Sequence, residues 1–167
     1  SLEWRPDLAH SGEWWQMVTG HLVHLNGWHL ALNLAGLAVV LALYPRFLPL
    51  LTLAIALIWL AIFISLGLLF LLPEQHGYRG FSGCLHGLAA ILAIRGFRED
   101  RVFSASILVL LAGKLVIESV GLGLADTTNL IGGPVVWQAH ALGLAGGLVF
   151  AGLSLLTPRT PRQSSPE

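Results

Sequence analysis

Residues 80–94 read Gly80-Phe81-Ser82-Gly83-Cys84-Leu85-His86-Gly87-Leu88-Ala89-Ala90-Ile91-Leu92-Ala93-Ile94. From Ser82 onward the stretch carries no formal charge, yet its 13 residues (82 to 94) cover only about 20 Å as a helix, against about 30 Å of bilayer hydrocarbon. Lipid offers no partner for open backbone groups, so the outer end of so short a helix must start inside protein or beside a water-filled cavity. Ser82 is then a hydroxyl below the membrane surface that water can still reach.

The sequence on either side is built for the same solvent. Of 167 residues, 55% are hydrophobic and only 11% charged, where soluble domains carry about 25% charge. Besides the short run there are four longer apolar segments, about 27–43, 47–72, 102–122 and 135–156. The first is closed by Tyr44-Pro45 and the second by Pro73, because proline cannot continue a helix. The reading is an all-α, polytopic membrane helix bundle with five transmembrane helices. Residues 1–26 form an outer loop, and residues 157–167, rich in Pro, Ser and Thr, read as a disordered cytoplasmic tail.

Nine Lys+Arg balance nine Asp+Glu, so no basic field exists for nucleic acid. The single cysteine, Cys84, can neither close an intrachain disulfide nor start a cysteine metal cluster. Arg46, Arg95, Arg98, Arg101, Arg159 and Arg162 collect on one face, which the positive-inside rule makes cytoplasmic. Ser82 and the start of the last span then lie on the outer side, and Trp4, Trp14, Trp15, Trp28 and Trp137 fall near that boundary, where aromatic belts sit.

Polar groups inside spans are costly and so mark candidate function. Seven stand out: His29, Asn33, Ser82, His86, Lys114, Glu118 and His140. His29 and Asn33, four apart, share a face near the outer end of the first span. Ser82 opens the short helix and His140 lies in the outer part of the last, so four of the seven meet at one depth. Gly83 and Gly87 follow Ser82, and Gly143 and Gly147 follow His140; small-xxx-small spacing lets two backbones approach closely.

Serine is a weak nucleophile until a base takes its proton, and His140 is the candidate base. The sequence offers no carboxylate at matching depth, so a Ser82–His140 dyad is the economical reading. His29, Asn33 and the backbone N–H of Ser82 at a helix N-terminus are candidate oxyanion donors.

Trp15-Gln16, His24 with His29 and Asn33, Gly80-Phe81-Ser82-Gly83 and Ala139-His140-Ala141-Leu142-Gly143 together resemble, in order and spacing, the rhomboid family of intramembrane serine proteases. The resemblance covers most of the chain and implies Ser82 as nucleophile, His140 as general base, and His29, Asn33 and the Ser82 N–H as the oxyanion hole. It implies transmembrane protein substrates that enter laterally between the first and fourth segments, and no cofactor or metal. The run 80–87 is similar to the rhombosortase branch, whose bacterial members cleave proteins bearing a C-terminal Gly-Gly sorting tail; that implies a bacterial inner membrane. The family core has six helices where five spans are read here, and its usual Trp-Arg pair is Trp15-Gln16, a change expected to touch only loop anchoring.

Other residues have plainer readings. His86 is expected to pack or hydrogen-bond, His24 to hold the outer loop through hydrogen bonds, and Cys84 to sit in the core. Lys114 and Glu118, four apart, read as an intrahelical pair, with substrate contact as the other possibility. His21, His24 and His29 lack the HExxH of a zinc protease. The rival functions are a client-binding pseudoprotease, against which the presence of both Ser82 and His140 argues, a membrane cytochrome with His29 and His140 as axial ligands, and a plain structural membrane domain, which leaves the coincidence of motifs unexplained.

Overall fold

The computed structural model describes residues 1–44, 49–122 and 124–156. Arg46, Arg159 and Arg162, the Pro45 stop, the expected start of the second span at Phe47 and the expected disordered tail all lie outside these residues. Among the described residues the regular elements are α-helices: α1 (Leu8–Ser11), α2 (Gln16–Thr19), α3 (Gly27–Leu43), α4 (Leu50–Leu71), α5 (Ser82–Gly96), α6 (Arg101–Ser119), α7 (Leu124–Ile131) and α8 (Trp137–Leu156). Helices α4, α6 and α8 are long and apolar enough to cross a membrane, and α3 and α5 are shorter apolar helices.

Local chemistry sets the ends of these elements. Asn26 caps α3 by accepting the His29 N–H at 2.8 Å, and Asp100 caps α6 by accepting the Phe103 N–H at 2.9 Å. Helix α4 starts after Pro49 and ends at Leu71, just before Pro73. The eight-residue α7 is too short to span and was not anticipated from the sequence. It lies in the connection between α6 and α8, and the Asn26 amide ties it to α3 by donating to the Leu130 carbonyl at 3.0 Å.

Helix α5 lies at the centre, packed against α3, α4, α6 and α8, and every residue from Gly83 to Ala93 is buried. Its closest partner is α8. A Cβ on Gly143 would collide with the carbonyl oxygen of Gly83, and one on Gly83 would come within 2.8 Å of the Ala139 carbonyl oxygen. One turn deeper, a Cβ on Gly87 would stand 2.6 Å from the Gly143 carbonyl oxygen. Four glycines thus let two backbones touch with no side chain between them.

The outer loop is anchored rather than draped over the bundle. Trp4 and Tyr78 exchange two backbone hydrogen bonds of 3.2 and 3.0 Å. Trp4 departs from its expected place in an aromatic belt: it is fully buried beside Gly20, whose missing Cβ leaves it room, whereas Trp14, Trp15 and Trp28 are exposed. Gln16, also fully buried, accepts the Arg5 N–H at 3.0 Å and donates to Glu13 at 2.6 Å. His21 donates through Nε2 to the Ala61 carbonyl at 3.0 Å and receives the Cys84 thiol on Nδ1 at 3.6 Å, tying the loop to α4 and α5. Burial lowers the His21 pKa to about 4, so this tie is made by a neutral ring.

Candidate active site

A cavity of about 280 Å³ is lined by side chains from α3, α5, α6, α7 and α8. Ser82, the first residue of α5, is half-buried at its wall. The turn before it needs Gly80, whose φ of 121° is open to glycine alone and whose absent Cβ would lie 2.7 Å from the His29 ring. Tyr78 braces the same turn by donating its hydroxyl to the Gly80 carbonyl at 2.7 Å, and burial raises its pKa above the ordinary phenol range.

The glycine seam brings His140 on α8 to Ser82, with Nε2 2.8 Å from Oγ. The opposite ring nitrogen, Nδ1, lies 2.7 Å from Oε2 of Glu118 on α6. A carboxylate can only accept, so Nδ1 carries the proton and Nε2 presents its lone pair to the serine hydroxyl. This corrects the expectation that no carboxylate stands at the depth of the histidine. Glu118 does pair with Lys114 on its own helix, through Oε1, and its second oxygen reaches across to α8. Helical spacing revealed the intrahelical partner; the cross-helix one depends on the rotation of α6 about its axis, which spacing within one helix cannot give.

His86 stacks on His140 with ring centroids 4.3 Å apart and planes 11° apart, and its Nδ1–H donates to the Ser82 carbonyl at 2.8 Å. His29 accepts the Leu25 N–H on Nδ1 at 3.3 Å, which leaves Nε2–H as a donor on the cavity side. Asn33 donates one amide proton to the His29 carbonyl at 2.9 Å and keeps a second, and it too lines the cavity. The Ser82 N–H belongs to the first turn of α5, where backbone donors lack intrahelical acceptors. His24 hydrogen-bonds the backbone of Leu22 within the outer loop and packs edge-on against His29, centroids 5.0 Å apart, while its Nε2 has no hydrogen-bond partner. Cys84 is buried in the core.

Among the described residues one group of donors is close enough to suggest a metal: His86, Glu118 and His140. Its geometry does not suit an ion. The two imidazoles are stacked nearly parallel, so their lone pairs do not converge, and both nitrogens of His140 are already engaged.

Residues 11–156 match the family model described as the Rhomboid domain. The chain belongs to the rhomboid family. Rhomboid members are generally intramembrane serine proteases, and the apolar helices of this one make a multi-pass membrane protein in the lipid bilayer. No curated protein matches the chain.

Proposed function

We propose that this rhomboid protein is a serine endopeptidase that hydrolyses a peptide bond in or next to a transmembrane segment, with Ser82 as nucleophile and His140 as general base. The observation that carries this reading is the 2.8 Å approach of a lone-pair-bearing imidazole nitrogen to a serine hydroxyl beside a cavity lined with polar groups. Ser82 Oγ attacks the scissile carbonyl as its proton passes to His140 Nε2. The tetrahedral oxyanion is met by His29 Nε2–H, the spare Asn33 amide proton and the Ser82 N–H. Collapse transfers the proton from His140 to the leaving amine and leaves an acyl group on Ser82. Water entering through the cavity then attacks the acyl carbonyl as its proton passes to His140 Nε2, and collapse returns that proton to Ser82 Oγ as the acid departs.

The substrate class follows from the likeness of residues 80–87 to the rhombosortase branch: exported bacterial proteins with a C-terminal Gly-Gly tail, a hydrophobic helix and a basic end. The membrane is then the bacterial inner membrane. Arg95, Arg98 and Arg101, at the far end of α5 and the start of α6, support a cytoplasmic face opposite Ser82 and a site that opens outward.

A serine-reactive fluorophosphonate, applied to membranes containing the protein and followed by mass spectrometry, tests the reading. Ser82 should be modified, and modification should vanish in Ser82→Ala and His140→Ala. Failure of the folded protein to label would remove the protease reading and leave a client-binding rhomboid in its place.

A further inference from the structure

Helix α6 turns its apolar residues outward and buries two polar ones, Ser104 and Glu118. An intrahelical ion pair with Lys114 does not require that burial, since the Lys114 side chain is itself 48% exposed. The Glu118 carboxylate instead points inward and spends its second oxygen on His140. We propose that Glu118 is the positioning residue for His140, so that the two-residue machinery extends to a relay of Ser82, His140 and Glu118 inside the membrane. The inference rests on the proposed proteolysis and adds a residue to it.

The chemistry is specific. A neutral imidazole with nothing on Nδ1 divides between two tautomers, and only the one protonated at Nδ1 can take a proton from Ser82 at Nε2. The carboxylate at 2.7 Å selects that tautomer and holds the ring plane. When Nε2 takes the serine proton, the imidazolium lies against an anion in a setting where both side chains are less than 10% exposed, so their attraction is weakly screened. Lys114 engages the other oxygen, which fixes the rotation of the carboxylate and supplies the counter-charge that a carboxylate needs at membrane depth. His86 supports one face of the ring by stacking, while the carboxylate fixes its edge.

The experiment compares wild type, Glu118→Gln, Glu118→Asp and the double variant Glu118→Gln/Lys114→Met in purified, bilayer-reconstituted protein. Two quantities are read: the rate and concentration dependence of fluorophosphonate modification of Ser82, and the ring-nitrogen resonances of 15N-labelled histidine, with His140 assigned from the His140→Ala spectrum. Wild type should show His140 protonated at Nδ1, with the far-downfield proton of a short bond to a carboxylate. Glu118→Gln should lose that downfield shift and slow the maximal rate of Ser82 modification by about 10²–10⁴-fold at unchanged half-saturating concentration. Glu118→Asp should recover part of the rate, and removing Lys114 from Glu118→Gln should recover none. Modification of Glu118→Gln at the wild-type rate would overturn the proposal. So would recovery in the double variant, which would make Glu118 merely the partner of Lys114. If wild-type Ser82 proves inert, the proteolytic reading fails, while the His140 resonance and its response to Glu118→Gln still decide whether the carboxylate sets the ring.

Discussion

Helices α5 and α6 solve the same problem in opposite ways. Helix α5 is enclosed by protein on all sides, and its buried residues from Gly83 to Ala93 are of every kind. Helix α6 shows Val102, Val109, Leu110 and Val116 to the outside and buries only Ser104 and Glu118, and α3 likewise buries only His29 and Asn33. In water such helices would be inside out; in lipid an outward valine loses nothing, and an inward polar group is held where it can be partnered. On α3 and α6 burial falls on polar residues, of which His29, Asn33 and Glu118 line the cavity, whereas burial on the central helix marks position.

That contrast can be broken most severely at the glycine seam. Gly143→Val would drive side-chain atoms into the Gly83 backbone and separate Ser82 from His140. The expected outcome is loss of fluorophosphonate labelling together with loss of the folded protein on size-exclusion chromatography. On α3, Asn33→Ala should leave the fold intact and lower the maximal rate of Ser82 acylation, read with a fluorogenic ester, by about 10²–10³-fold.

Acid probes the anchoring of the loop to the enclosed core. The pKa of His21 falls from an ordinary 6.5 to about 4 on folding, so the unfolded loop binds the proton that the folded one excludes. Stability contributed by this site is complete above pH 6.5, falls as pH drops from 6.5 toward 4, and is reduced by roughly 3 kcal/mol at the lower limit. Protease sensitivity of the outer loop should rise across that window in wild type and stay flat in His21→Gln. The smallest effect belongs to Gly113 on α6, where an added Cβ meets nothing within 4 Å. Gly113→Ala should change thermal stability by no more than about 1 kcal/mol and leave labelling untouched.

Much of this molecule was legible in its sequence. Apolar runs and proline stops are one-dimensional signals, and they gave the helical membrane bundle and the shortness of the helix that begins at Ser82. The pairing of Gly83 and Gly87 with Gly143 and Gly147 pointed to the seam along which Ser82 and His140 now stand 2.8 Å apart. What stayed hidden needed rotation or long-range closure. The aim of Glu118 at α8 depends on how α6 is turned, and the burial of Trp4 depends on a backbone pairing with Tyr78, more than 70 residues away. Helix α7 escaped because its eight residues, although amphipathic, are too few to span and so fall outside a search for long apolar runs.

The unequal lengths of the outer-lying helices reach beyond the protein. Helix α4, with 22 residues, extends about 33 Å, while α3, with 17, extends about 26 Å, and both expose apolar side chains to lipid. No single hydrocarbon thickness matches both. Such a mismatch is met by tilt of the longer helix or by thinning of the bilayer alongside the shorter one, at a cost of fractions of a kcal/mol per ångström. Where the bilayer thins beside α3, a helix diffusing in the membrane reaches the protein through a shallower layer of hydrocarbon than it travelled in.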